Sequence, residues 1–68
     1  MNLSQKIKVL RAINGLNQKQ LAEKSGVSEN AIAKIESKNL HSNPTTATLV
    51  NLAQALNVDV KELLDCER

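Results

Sequence analysis

Apolar residues in this chain fall three or four positions apart in short runs, each closed off by Asn, Ser, Gly or Pro, and that spacing dictates helices. Leu3, Ile7 and Leu10 mark one face of a first helix; Asn2 with Gln5 forms a capping-box pattern at its start, and Asn14-Gly15 ends it. Asn17 with Gln20 repeats the pattern ahead of a second helix over Gln18–Ser25, whose Leu21 and Ala22 face inward and which Gly26 closes. Ser28 caps a third helix running to about Ser37, with Ile32 and Ile35 on one side. Lys38 to Pro44 reads as a loop, and Thr45 or Thr46 opens a fourth helix with Leu49, Leu52, Ala53 and Leu56 on its apolar face. Asp59 with Glu62 predicts one more capping box before a short fifth helix carrying Val60, Leu63 and Leu64. No segment alternates as a strand does.

With 68 residues there is room for one domain only, 1–68, and the absence of Phe, Tyr and Trp leaves Leu, Ile, Val and Ala to fill its core. Those facts together specify an all-α fold of five packed helices. A single cysteine, Cys66, makes no internal disulfide, and a single histidine, His41, is too few for a protein-only zinc site. The chain is therefore expected to work in the reducing cytoplasm without a metal or other cofactor. Polar residues follow Met1, and no stretch approaches the roughly 18 apolar residues of a membrane span, so neither export nor a membrane partner is expected.

The same inventory narrows the function. One His, one Cys, two glycines, no phosphate-cradling loop and no carboxylate pair in an evident cleft leave an enzyme reading without machinery. Single-stranded nucleic acid is a poor partner too, because no aromatic ring is present on which a base stacks. The net charge of +2 is small, but seven of the nine basic residues lie in positions 1–44 against three acids, while positions 45–68 hold two against four. Positive charge thus gathers where the most informative segment lies.

That segment is Gln18 to Ser37, QKQLAEKSGVSENAIAKIES, which makes physical sense as two helices crossing at a tight turn. Ala22 is small where the helices approach, Gly26 takes a positive φ at the turn, and Val27, Ile32 and Ile35 with Leu21 fill the angle between them. Once Ile32 and Ile35 point inward, the advance of about 100° per residue puts Glu29, Asn30, Ala33, Lys34 and Ser37 outward. A helix offering such a polar face fits the major groove of duplex DNA, with the preceding helix braced on the backbone.

Across these residues the chain resembles the lambda-repressor-like, Cro-type (XRE) helix-turn-helix family. The resemblance runs from Ile7-Lys8-Val9-Leu10-Arg11 to Val60-Lys61-Glu62-Leu63-Leu64. Gly15-Leu16-Asn17-Gln18, Leu21-Ala22-Glu23-Lys24, Gly26-Val27-Ser28 and Ile35-Glu36 carry it. It implies a compact five-helix domain with the helix-turn-helix at about 18–37, a linker at about 38–44 and helices four and five at about 46–64. It implies a dimeric transcriptional regulator, a repressor, on a two-fold symmetric operator.

Motif positions carry the family's contacts onto this sequence. Gln18 matches the residue that grips a phosphate and buttresses the reading helix, and Ser28 and Ser37 match backbone contacts. Glu29, Asn30, Ala33 and Lys34 occupy reading positions, and Arg11 with Glu36 matches a structural ion pair. Asn30 suits adenine, to which Asn makes a bidentate contact. Two readings of Glu29 stand side by side: acceptance from a cytosine amino group, or a purely structural role at the positive end of the helix.

The loop resembles the Ile-Glu to Asn-Pro linker of sporulation and biofilm repressors, and Lys38, Asn39 and His41 in it are expected along phosphates. Beyond it, Val58, Val60, Leu63 and Leu64 offer more apolar area than one short terminal helix hides easily, which points to a homodimer interface. An alternative use of the same fold is an interaction module, such as an antitoxin-like protein, that holds a protein partner in place of DNA.

Overall fold

The computed structural model describes residues 2–37 and 44–66. Five helices follow one another: α1 (Leu3–Ile13), α2 (Gln18–Ser25), α3 (Glu29–Glu36), α4 (Thr46–Ala55) and α5 (Val60–Leu64). The all-α expectation holds, and no strand occurs among the described residues. None of these helices is long and apolar enough to cross a membrane. The linker residues Lys38, Asn39 and His41 lie outside the described residues.

Local chemistry sets the helix ends. Asn2 and Asn17 each accept from the backbone N–H three residues on, at Gln5 (2.9 Å) and Gln20 (2.7 Å), and each of those glutamines closes the box by accepting from the cap's own N–H. Ser28 and Thr45 cap α3 and α4 by accepting from Ala31 and Thr48, both at 3.1 Å. At the far end of α1, Gly15 (φ +69°) donates to Ala12 O and Leu16 to Arg11 O, each at 3.0 Å, the paired bonds of a Schellman stop. Asn57 (φ +60°) does the same for α4, with its N–H on Gln54 O (3.2 Å) and that of Val58 on Ala53 O (3.0 Å). The Asn14 side chain ties these two stops together by donating to Leu10 O and Leu56 O.

Every helix sends a side chain into one core: Ile7, Leu21, Ile32, Leu49, Leu52, Leu56 and Leu63 are wholly buried, and Leu3, Leu10, Val27 and Ile35 complete it. Each fully buried leucine or isoleucine contributes about 1.5–3 kcal/mol relative to exposure. That core fixes the angle between α2 and α3. Gly26, in the left-handed conformation at φ +75°, makes the turn between them and donates its N–H to Ala22 O at 2.9 Å. A residue with a Cβ is strained in that conformation.

Two expectations at the last helix are corrected. Asp59 caps α5 by accepting from Lys61 N at 3.0 Å, but Glu62 does not complete a capping box; its carboxylate reaches across to Lys6 Nζ of α1 at 3.0 Å. Leu63, expected at a surface for a second copy, is fully buried within its own protomer. A helix of five residues laid across α1 and α4 puts one side chain straight down into the core, and Leu63 is that side chain. Val58 and Val60 are half-buried against the same core, and Leu64 is the exposed member of the set.

Candidate nucleic-acid interface

The outward side of α3 is built as its periodicity requires. Ile32 and Ile35 fill the inner side, which leaves Glu29, Asn30, Lys34 and Ser37 exposed and Ala33 half-buried along the outer one. Ser28 supplies the cap, and Glu29 is an exposed carboxylate in the first turn, at the positive end of the helix dipole. Ser37 Oγ donates to Lys34 O at 2.9 Å and finishes the helix. Over eight residues the face is about 12 Å long, comparable to the width of the major groove.

Beside this face the start of α2 presents two backbone N–H groups, those of Gln18 and Lys19, which have no acceptor inside the helix. They carry the positive end of the helix dipole, and Gln18 is half-buried next to them. Polar donors of two helices are therefore offered together. One set is flat and fixed to backbone; the other projects on side chains.

Behind them lies a polar cluster at the junction of α1, α2 and α3. Glu36 at the end of α3 is 3% exposed, and its two oxygens accept a fork from Arg11: Nε to Oε2 at 2.8 Å and Nη2 to Oε1 at 2.9 Å. Gln18 Nε2 donates to the same Oε1 at 3.2 Å, and Arg11 Nη1 donates to Leu16 O at 3.0 Å. The paired carboxylate raises the Arg11 guanidinium above its ordinary value, chiefly through the hydrogen bonds between them. Ser4 Oγ, itself buried, donates to the backbone oxygen of Glu36 at 2.6 Å.

The expected Arg11–Glu36 ion pair is thus present, and the structure adds Ser4 and the Gln18–Glu36 bond, which sequence reasoning missed. A signal for Ser4 exists: Ser4 and Arg11 stand seven residues apart, so both flank the apolar stripe of α1 on the same side. Nothing comparable announces that Gln18 turns to Glu36. Of the other expected contact residues, Ser28 and Ser37 are exposed at the two ends of α3.

A family model described as helix-turn-helix matches residues 7–63. The control protein C.SmaI of Serratia marcescens is 44% identical over 62 residues, covering 91% of this chain and 71% of that protein. The transcriptional regulator SinR of Bacillus subtilis is 38% identical over 63 residues, and there the chain spans 93% of its own length but 56% of SinR. Among solved structures, SinR in complex with DNA superposes with a TM-score of 0.84 at 38% identity, over 93% of this chain and 98% of that one. A SinR–SinI protein complex gives the same TM-score over 60% of the SinR chain.

Proposed function

Because the chain belongs to the helix-turn-helix family, in its XRE branch, we propose that it is a sequence-specific duplex-DNA-binding repressor, acting as a homodimer in the cytoplasm and without catalytic activity. The observation that carries this reading is the exposed polar face of α3 held beside the free N–H groups of α2. In it Asn30 reads an adenine edge, Ala33 and Lys34 follow one turn further along the groove, and Gln18, Ser28 and Ser37 rest on the phosphate backbone. Glu29 either accepts from a cytosine amino group or only complements the dipole of α3. Lys38, Asn39 and His41 of the linker extend the backbone track.

Dimerisation follows from size. The protomer measures 25 × 23 × 20 Å and carries one such helix, whereas successive major grooves on one face of DNA are about 34 Å apart. Reading both takes a second copy, and Val58, Val60 and Leu64 are the apolar residues left accessible near the C-terminal end for it. Occupancy of an operator that overlaps a promoter then blocks transcription.

Selection of duplexes from a random pool, with footprinting of the winners, tests the proposal. A two-fold symmetric site with half-sites about one helical turn apart is expected. Asn30→Ala should cost about 1–3 kcal/mol on that site and relax preference at one position, while Lys38→Ala weakens all sequences alike and flattens the salt dependence. No enriched sequence, together with affinity that ignores salt, would instead favour the interaction-module reading. The solved assembly of SinR with SinI gives that second reading its support.

A further inference from the structure

The Gln18 side chain has a partner inside the protein, Glu36, and the chemistry of that partner is one-sided. A carboxylate only accepts hydrogen bonds, so Glu36 can be met by the amide nitrogen of Gln18 and not by its oxygen. A surface glutamine otherwise flips freely between presenting a donor and presenting an acceptor. Here the flip is fixed, one N–H is committed to Glu36, and the other remains on an amide whose plane is set. Phosphate oxygens, like carboxylates, accept only, so they distinguish a fixed donor from a flipping amide.

Charge raises a second issue at this place. A bare carboxylate close to the start of α2 would repel the phosphate that Gln18 and the adjoining backbone N–H groups attract. Glu36 escapes that conflict because it is 3% exposed and both of its oxygens are covered by the Arg11 fork. Arg11 in turn holds Leu16 O in the loop leading into α2, so the same guanidinium sets the position of the backbone just ahead of Gln18. Ser4 fixes the backbone of Glu36 from the α1 side.

We propose that Glu36, neutralised and aimed by Arg11, is a positioning residue for DNA binding: it holds the Gln18 side-chain amide with its nitrogen committed and its second N–H ready for a backbone phosphate. This role rests on the DNA-binding reading above. It makes the buried ion pair part of the binding device as well as of the fold.

A double-mutant cycle on the selected duplex tests it, with each variant first shown to be folded by its helical circular dichroism. Gln18→Ala is expected to weaken binding about five- to thirtyfold, the effect of losing one charge-assisted hydrogen bond. Glu36→Gln, which keeps size but can meet Gln18 with either end of an amide, is expected to weaken it by a similar factor. Combined, the two changes should do no more than the larger one alone. Multiplying factors would overturn the positioning role and leave DNA binding standing, whereas an unmodified chain that binds no duplex would overturn both.

A second measurement does not depend on how Glu36→Gln folds. In the ¹⁵N-labelled unmodified protein, the two Gln18 side-chain amide protons should be split, one shifted downfield and slow to exchange before DNA is added, the other shifting when duplex binds. Two protons with the shifts and exchange of a free glutamine in the unbound protein would overturn the proposal.

Discussion

Where α1 meets the α2–α3 pair, the joint is polar and closes over a buried carboxylate: Glu36 and Ser4 are buried, Arg11 and Gln18 are half-buried, and the four share one set of hydrogen bonds beneath the exposed face of α3. Where α1 meets α5, the joint is apolar underneath, through Leu63, with the Lys6–Glu62 pair in solvent on top. The two ends put their charge in opposite places. Buried charge needs particular partners at particular angles and so fixes orientation, while apolar contact tolerates small shifts and chiefly supplies stability. Helix α3 lies at the end where orientation is fixed by charge. The end that carries the exposed Leu64 is the one held by packing.

Removing one partner of the buried pair should break this comparison most severely. Arg11→Met leaves the Glu36 carboxylate inside with Gln18 as its side-chain donor, at an expected loss of about 3–5 kcal/mol in urea unfolding followed by helical circular dichroism. A domain of 68 residues has roughly 3–10 kcal/mol in all, so much of this variant should be unfolded at room temperature. Adding Glu36→Leu should restore most of the loss while leaving DNA binding weak. A single-variant loss under about 1 kcal/mol would mean that water reaches the carboxylate and the joint is not closed.

Two neighbours in α5 sharpen the other side of the comparison. Leu63→Ala empties a fully buried position and should cost about 2–5 kcal/mol of protomer stability, whereas Leu64→Ala, at a position 41% exposed, should stay within about 0.5 kcal/mol. Sedimentation should reverse the ranking, with Leu64→Ala loosening self-association and leaving the fold intact. If Leu64→Ala leaves association unchanged, the C-terminal apolar surface is not where copies meet.

That pair of leucines also shows why the sequence was legible in some places and not in others. Both capping boxes at Asn2–Gln5 and Asn17–Gln20 are local, their partners three residues apart, and the sequence displays them in full. The Asp59–Glu62 pattern has the same spacing, yet Glu62 is taken by Lys6 from the opposite end of the chain, a competitor that no local pattern reveals. Helix α3 is long enough for its period to separate Ile32 and Ile35 from Asn30 and Lys34. Helix α5, at five residues, is too short for period alone to decide between Leu63 and Leu64. Within the candidate interface the outward residues follow from periodicity, and the Arg11–Glu36 pair follows from family resemblance. The bonds from Ser4 and Gln18 to Glu36 depend on the way three helices cross, and only coordinates supply that.

The smallest expected effect belongs to the Lys6–Glu62 pair, and its size is what sets the two joints apart. Both groups are accessible to water, so their attraction at 3.0 Å is screened, and it carries the entropy cost of holding two long side chains still. Lys6→Met should therefore lower the thermal midpoint only slightly, and the gap to the unmodified protein should close as salt is raised. Hydrogen bonding to Glu62, followed by its charge, holds the Lys6 ammonium above its ordinary value of 10.5. A folded-state value raised in this way gives stability that is complete below 10.5 and disappears as pH climbs through the raised value, so the two melting curves should also converge in strong alkali. The Arg11 joint should show neither behaviour, since its carboxylate is buried and its guanidinium, always protonated in proteins, is raised further by Glu36. A Lys6→Met penalty as large as that of Arg11→Met, and indifferent to salt, would show that the α5 end is fastened by charge after all.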